Sequence, residues 1–211
     1  YKNSPAVSSR TICMIGVFDS GIGGLTVVKA LRALAQQVDI VYFGDTANMP
    51  YGDKSDEEIK QLTLRSIGFL RSQQASTIIS ACNSVSASVI RPMFELFDVR
   101  ESNVIEMVGP AINHLERQGI QKVILLATPA TIRSGMYEVA AAKKGIALHT
   151  IICPTLAQQI ESGASNIILM DTIREILRHT PRSIKNVLFG CTHYPLALKT
   201  FKSIAAELGR T

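Results

Sequence analysis

Apolar residues along the chain fall in short runs that alternate with longer stretches showing the three-to-four-residue spacing of amphipathic helices. The short runs lack strict polar–apolar alternation, which predicts strands covered on both faces. The predicted strands are Thr11–Phe18, Asp39–Phe43, Thr77–Ala81, Val104–Val108, Lys122–Ala127, Ile146–Ile152 and Asn186–Phe189. The predicted helices are Leu25–Gln36, Asp56–Gln73, Ser86–Phe97, Ala111–Gln118, Thr131–Lys144, a pair within Leu156–His179, and Pro195–Leu208. This order predicts an α/β fold with mostly parallel sheets flanked by helices.

The alternation of strands and helices divides into two halves without a long linker between them. We place the boundary in the segment 99–108, after the helix predicted over Ser86–Phe97, and so expect domains over residues 1–103 and 104–211. In folds of this kind, sites collect at the carboxyl ends of the strands. Polar or reactive residues that directly follow a strand are therefore the first functional candidates.

Composition and charge exclude several classes of protein. Of the 211 residues, 46% are hydrophobic and 18% charged, which favours a buried core over a disordered chain. No apolar run reaches the roughly 18 residues of a membrane span, and the polar start of the chain predicts no signal peptide. The net charge of +5 comes from scattered Lys and Arg without interleaved aromatics, so we expect no nucleic-acid partner. The positive charge favours solubility and some attraction for an anionic substrate.

The four cysteines are too few for a disulfide scaffold and lack the CxxC spacing of zinc sites. They predict reduced thiols in a cytoplasmic protein. Cys13 lies inside the first predicted strand and Cys153 precedes a proline without polar neighbours, so both are interpreted as packing residues.

Cys82 and Cys191 occupy matching positions about half the chain apart, in Thr77-Ile-Ile-Ser-Ala-Cys-Asn-Ser84 and Asn186-Val-Leu-Phe-Gly-Cys-Thr-His193. Each follows a strand and opens a helix. A helix N-terminus should lower the thiol pKa from about 8.5 toward neutrality. One such cysteine is usually a core residue, but two in matching contexts favour paired reactive thiols. The adjacent Asn83, Ser84 and Thr192 can cap these helices or bind a substrate.

Two turns carry further candidates. The glycine-rich turn after the first strand resembles a phosphate-binding loop only loosely, because a third glycine at the required spacing is missing and Asp19 would repel a pyrophosphate. Its alternative interpretation is that Asp19 and Ser20 are active groups on a turn that glycine lets approach a ligand. The turn Gly44–Gly52 is either an ordinary loop or a place where the backbone N–H groups of Tyr51 and Gly52 bind a carboxylate.

Two further side chains have two interpretations each. Glu161 is either a solvated charge at a helix end or a carboxylate that polarises a thiol. His193 is either a helix cap or an acid/base group beside Cys191.

Taken together, the chain resembles the glutamate racemase family. The matching segments are Asp19-Ser-Gly-Ile-Gly-Gly-Leu25, Gly44-Asp-Thr-Ala-Asn-Met-Pro-Tyr-Gly52, Ala81-Cys-Asn-Ser84 and Gly190-Cys-Thr-His-Tyr-Pro195. The resemblance implies two pseudosymmetric α/β domains with the active site between them, and no cofactor or metal. It implies that Cys82 and Cys191 are acid/base thiols, that Asp19 assists near Cys82, and that His193 and Glu161 assist near Cys191.

The resemblance also implies which residues hold the amino acid, and these are Asp19, Ser20, Pro50, Tyr51, Gly52, Asn83, Ser84, Thr128, Thr131, Thr192 and His193. The sequence departs from the family at Asn48, where Arg is common, and at Ser84, where Thr is usual. The stretch 158–161 is more polar than its family counterpart. Members usually continue past the Cys-Thr-His segment with a strand and a helix that return to the first domain, whereas this chain stops at Thr211.

The predicted activity is racemisation of glutamate without a cofactor, which would supply D-glutamate for peptidoglycan. A related enzyme acting on aspartate or another amino acid is the first alternative. A decarboxylase is less favoured because one thiol suffices for that chemistry, and a non-catalytic amino-acid-binding module would not need two. The expected partner is the small-molecule substrate, with no nucleic acid and no membrane; a homodimer is compatible with the sequence.

Overall fold

The computed structural model describes residues 14–88 and 103–209. Its strands are β1 (Met14–Asp19), β2 (Asp39–Gly44), β3 (Thr77–Ser80), β4 (Val104–Ile105), β5 (Lys122–Ala127), β6 (Ala147–Ile152) and β7 (Val187–Gly190). Its helices are α1 (Leu25–Leu34), α2 (Asp56–Ser72), α3 (Asn83–Ser88), α4 (Val108–Arg117), α5 (Pro129–Arg133), α6 (Met136–Ala142), α7 (Leu156–Glu161), α8 (Asn166–Arg178) and α9 (Leu198–Glu207). Short 3₁₀ turns cover Thr46–Asn48 and Tyr194–Ala197.

The described strands form two sheets, and every pairing between them is parallel. The first sheet has the order β2-β1-β3-β4 and the second the order β6-β5-β7. In each half the first strand is central, with the second strand on one side and the third on the other. The same arrangement therefore occurs twice along the chain. The prediction of an α/β fold with parallel sheets flanked by helices is confirmed.

Strand β5 shows why continuous apolar runs predicted two-sided burial. Ile124 and Leu126 belong to the core that α7, α8 and α9 cover, while Val123, Leu125 and Ala127 belong to the core under α4 and α6. Because successive side chains of a strand point to opposite faces, both faces need apolar residues when helices pack on each.

Helix α2 begins where the sequence provides a complete capping box. The Ser55 hydroxyl accepts a hydrogen bond from the Glu58 N–H at 3.3 Å, and the Glu58 carboxylate accepts one from the Ser55 N–H at 2.9 Å. The buried face of the helix then consists of residues with helical spacing, namely Ile59, Thr63, Ser66, Ile67 and Leu70. The helix is thus fixed both at its start and along its core-facing stripe.

Two of the differences from the sequence prediction have clear local reasons. The helix expected over Thr131–Lys144 is divided into α5 and α6, because Gly135 adopts a left-handed conformation with φ of 64°. The strand expected over Val104–Val108 ends at Ile105, because the Glu106 carboxylate accepts hydrogen bonds from the N–H groups of Val108 and Gly109 and turns the chain into α4.

The first sheet extends past the position chosen for the domain boundary. Strand β4 pairs with β3, so residues 104–105 join the first sheet although the predicted boundary lies before them. The division into two domains stays a prediction. Residues 11–13 of the first predicted strand, including Cys13, and most of the helix predicted over Ser86–Phe97 lie outside the described residues. Within the described ranges, no helix combines the length and apolar character needed to cross a bilayer.

Candidate active site

A pocket lies where the carboxyl ends of β1 and β3 meet those of β5 and β7. It is lined by Ser20, Met49, Pro50, Tyr51, Gly52, Cys82, Asn83, Ser84, Thr128, Ala157, Cys191, Thr192 and His193. All except Met49 and Ala157 are residues that the sequence singled out. Met49 lies inside the quoted Gly44–Gly52 turn, whereas Ala157 in α7 carries no sequence signal. The structure therefore collects candidates from both halves of the chain in one place.

Three predicted site residues lie behind this lining. The buried Asp19 carboxylate accepts hydrogen bonds from the Thr192 hydroxyl at 3.0 Å and from the Gly21 N–H at 3.1 Å. Glu161 contacts the pocket through His193, and Thr131 contacts it through Thr128. These three side chains hold residues of the lining.

The two reactive-thiol candidates are both buried in the lining. The Cys82 Sγ lies 3.6 Å from the Ser20 Oγ, and the Cys191 Sγ lies 3.7 Å from the His193 Nδ1. Burial, with a further contribution from the Asp19 charge, raises the pKa of the Cys82 thiol to about 11. Burial likewise raises the pKa of Cys191. The expected lowering of both pKa values is wrong for these surroundings, because desolvation of the thiolate outweighs the helix N-terminus.

Cys191, His193 and Glu161 form a connected chain of side chains. The Glu161 Oε2 lies 2.5 Å from the His193 Nε2. A carboxylate can only accept, so the Nε2 of a neutral ring carries the proton and the Nδ1 lone pair is directed toward the Cys191 thiol. His193 is thereby placed to accept a proton from Cys191.

The glycine-rich turn after β1 packs tightly against the second half of the protein. The Glu161 carboxylate accepts hydrogen bonds from the Ile22 N–H at 3.0 and 3.2 Å. A Cβ at Gly21 would lie 2.6 Å from the Glu161 Oε2, and a Cβ at Gly23 would lie 2.6 Å from the Thr192 Oγ1. The glycines therefore permit close contact between the halves, which is a physical role different from cradling a phosphate.

Neutral hydrogen-bonding groups also line the pocket. The Ser84 Oγ lies 2.9 Å from the Thr128 Oγ1, which lies 3.1 Å from the Thr131 Oγ1. The Tyr137 hydroxyl donates to the Asn83 Oδ1 at 2.5 Å. The involvement of Tyr137 was not predicted, because it is far along the chain from Asn83.

Hydrogen bonds within the Gly44–Gly52 turn and to a neighbouring helix fix the turn in place. Asp45 accepts hydrogen bonds from the Tyr51 hydroxyl at 2.6 Å and from the Asn48 side-chain amide at 2.9 Å. The Gly52 carbonyl accepts from the Ala130 N–H at 2.8 Å, which joins the turn to α5. Asn48, where the family often has Arg, thus helps to order the carboxylate beneath Tyr51.

The remaining described cysteine is part of the core. Cys153 packs among the residues under α7 and α8, and its carbonyl accepts a hydrogen bond from the Tyr194 hydroxyl at 3.3 Å. This agrees with its interpretation as a packing residue. Across residues 14–88 and 103–209, no three His, Cys, Asp or Glu side chains converge in a way that could hold a metal ion.

A comparison of the sequence with known families decides the relationship. The sequence model of the Asp/Glu/Hydantoin racemase family matches residues 23–209. The chain belongs to this family. It is 35% identical to a glutamate racemase of Aquifex pyrophilus over 196 residues, which cover 92% of this chain and 76% of the relative. It is also 35% identical to one of Thermoanaerobacter pseudethanolicus, covering 92% and 73% of the two chains. The prediction of a chain related to racemases, and hence to isomerases, is confirmed.

Solved structures of the racemase family share the fold. The glutamate racemase of Francisella tularensis, solved in complex with D-glutamate, has a TM-score of 0.83 and 35% identity, and the match covers 92% of this chain and 74% of that one. The glutamate racemase of Thermus thermophilus, solved with β-chloro-D-alanine, has a TM-score of 0.78 and 34% identity, with 92% and 72% covered. An aspartate racemase of Picrophilus torridus shares the fold at 19% identity, with a TM-score of 0.68 and coverage of 94% and 95%.

Proposed function

We propose that this racemase-family protein interconverts L- and D-glutamate without a cofactor, using Cys82 and Cys191 as the two acid/base groups. The observation that carries the proposal is the presence of two buried thiols in one pocket. They occupy equivalent places in the two halves of the chain, since Cys82 follows β3 and Cys191 follows β7. The glutamate racemases reported above, one of them solved with D-glutamate, support glutamate as the substrate.

Inversion of an α-carbon needs two groups on opposite sides. The thiolate of one cysteine removes the α-proton, and the thiol of the other donates its proton to the opposite face of the carbanion-like intermediate. The charge and the protons balance, since one thiolate becomes a thiol and the other thiol becomes a thiolate. The reverse reaction exchanges these roles.

The raised thiol pKa values mean that protein groups alone keep both cysteines protonated near neutral pH. The ammonium group of an amino acid would bring a positive charge into the pocket and lower those pKa values. On the Cys191 side, His193 can accept the thiol proton, and Glu161 would stabilise the imidazolium. Proton removal is then coupled to the arrival of the substrate.

The carboxylates of the substrate would be held by neutral donors. Hydroxyl groups of Ser84 and Thr128 and the amide of Asn83 line the pocket, whereas no Lys or Arg is part of its described lining. Preorganised neutral donors in a buried site stabilise developing negative charge without attracting a competing counter-ion. The Thr192 hydroxyl donates its one proton to Asp19, which fixes this side chain in the lining but leaves it without a proton to donate to the substrate.

The test replaces one thiol at a time. Cys82→Ala and Cys191→Ala should each lower racemisation by about 10²–10⁴-fold, because one acid/base group is lost. Circular dichroism of L- or D-glutamate incubated in D₂O without added cofactor follows racemisation, and mass spectrometry follows deuterium at the α-carbon. Each variant should retain exchange with one enantiomer only. Cys153→Ala is the matched control and should remain active.

Full racemisation by either variant would remove the two-thiol mechanism. Binding of glutamate without exchange at its α-carbon would instead identify a non-catalytic binding module. Faster racemisation of L-aspartate than of L-glutamate would assign the alternative substrate. We further propose that the enzyme works in the cytoplasm and supplies D-glutamate for peptidoglycan, as the family resemblance implies.

A further inference from the structure

The side chain of Asn83 is the one amide group in the pocket lining. A primary amide presents an acceptor at Oδ1 and two donors at Nδ2, and the two ends are nearly equal in size. A pocket that binds carboxylates needs the donor end. A contact elsewhere must therefore select between two orientations of similar shape.

Tyr137 makes that contact from the other half of the protein. Its hydroxyl lies 2.5 Å from the Asn83 Oδ1, and the residue is only 1% exposed. Burial raises the pKa of this phenol, so it stays protonated and remains a donor across the physiological range. Since a buried hydroxyl must place its proton on an acceptor, it selects the orientation in which Oδ1 is directed toward α6.

We propose that Tyr137 is a positioning residue, whose hydroxyl holds the Asn83 amide with Nδ2 directed into the pocket as a donor to a substrate carboxylate. Only the identity of the ligand rests on the proposed function; the orientation of the amide does not. The contact joins α6 to the start of α3, so it also makes donor placement depend on the packing of the two halves.

The kinetic test is a double-mutant cycle between the two residues. Tyr137→Phe removes only the hydroxyl and should lower kcat/KM for glutamate about tenfold, which corresponds to about 1.4 kcal/mol, because the Asn83 amide is then free to turn its donor end away from the substrate carboxylate. Most of the loss should be in KM, because the carboxylate is charged before and during the reaction. In an Asn83→Ala background, the same substitution should change kcat/KM less than twofold.

A second measurement needs no substrate. The side-chain amide resonances of Asn83, assigned by their absence from the spectrum of Asn83→Ala, should shift and exchange faster with solvent in Tyr137→Phe. Tyr194→Phe is the matched control, because it also removes a buried phenol hydroxyl, one that donates to the Cys153 carbonyl. It should leave both the Asn83 resonances and KM unchanged.

The outcomes separate the positioning role from the proposed function. Unchanged Asn83 resonances, or an equal loss of kcat/KM with and without Asn83, would overturn the positioning role and leave Tyr137 as a packing residue. If the wild-type protein neither binds nor racemises glutamate, the proposed function fails. The amide spectrum still decides whether Tyr137 orients Asn83.

Discussion

Some residues around the pocket are required for the space they leave to neighbouring residues, not for a chemical group of their own. Gly23 illustrates this, because an added Cβ would lie 2.6 Å from the Thr192 Oγ1 and 2.8 Å from both the His193 Nδ1 and the Thr192 carbonyl carbon. The last of these is a backbone atom and cannot rotate away. The turn therefore approaches the second half only because the residue is glycine.

Gly23→Ala should consequently displace the turn from Thr192 and His193. We expect kcat/KM to fall at least about tenfold, with a loss of about 1–3 kcal/mol in the free energy of unfolding, as found for overpacked sites. Steady-state kinetics and urea unfolding measure the two effects. Gly68→Ala is the control. This glycine lies inside α2, and an added Cβ there would have no other residue's atom within 4 Å.

The control should be more stable than the wild type by about 0.5–1 kcal/mol, since alanine is the better helix former, and equally active. A Gly23→Ala variant with wild-type kinetics would contradict the close packing of this turn.

Among the secondary-structure elements, the start and end of helices depend on a few polar side chains. Helix α2 starts at the Ser55–Glu58 capping box, α4 starts at the carboxylate of Glu106, and α5 starts where the Thr128 hydroxyl accepts from the Thr131 N–H at 3.4 Å. Thr128 thus serves the pocket and a helix start at once. A change there would disturb the fold and the site together, whereas the capping box of α2 affects stability alone.

Ser55→Ala should lower the free energy of unfolding by about 1 kcal/mol, because the first turn of α2 loses a hydrogen-bond acceptor for the Glu58 N–H. Chemical denaturation with a circular-dichroism readout measures this loss. Glu58→Gln is the matched variant, since glutamine also completes a capping box and should lose less. Equal losses in the two variants would show that the hydroxyl is not the stabilising group.

Across the whole molecule, contacts between the two halves create the pocket. The Thr192 hydroxyl donates a hydrogen bond to Asp19, and the Ile22 N–H donates one to Glu161. The Ala130 N–H donates a third to the Gly52 carbonyl. Cys82 and Cys191 are buried in this pocket and Cys153 in the core of the second half, and burial raises the pKa values of all three thiols. Burial of neutral thiols links the stability of the fold to pH.

The free energy of unfolding should fall as pH rises above about 8.5. Thiols in the unfolded chain lose their protons near that value, whereas burial raises the pKa of Cys82 to about 11 and that of Cys153 to about 12. The unfolded state therefore binds fewer protons between these limits, which favours unfolding. Urea unfolding from pH 7 to pH 11 under reducing conditions measures the decline.

Cys153→Ala tests the cause without touching the pocket lining. Its stability should decline less than that of the wild type over the same range, with a difference on the order of 3 kcal/mol near pH 11, because the two pKa values differ by more than the 2.5 pH units between pH 8.5 and pH 11. Parallel curves for the two proteins would show that burial of this thiol does not contribute.

The amino-acid sequence by itself determined the strands, most of the helices and the segments that carry the candidate site. Apolar runs such as that of β5 specify two-sided burial, and residues placed just after parallel strands must gather at one edge of a sheet. The family resemblance rests on these same local segments, which is why most of the pocket lining could be predicted.

Only the tertiary structure decided which groups touch across the two halves. Tyr137 and Asn83 are distant in sequence, yet their side chains share a hydrogen bond. Ala157 lines the pocket although its methyl side chain gives no chemical signal in the sequence. The Glu161 carboxylate contacts both the Ile22 N–H, in the turn after β1, and the His193 ring. The direction of the thiol pKa shift could likewise not be predicted from the neighbouring residues in the sequence. A helix N-terminus is visible in sequence, but desolvation depends on what the fold packs around the sulfur atom, and here burial prevails.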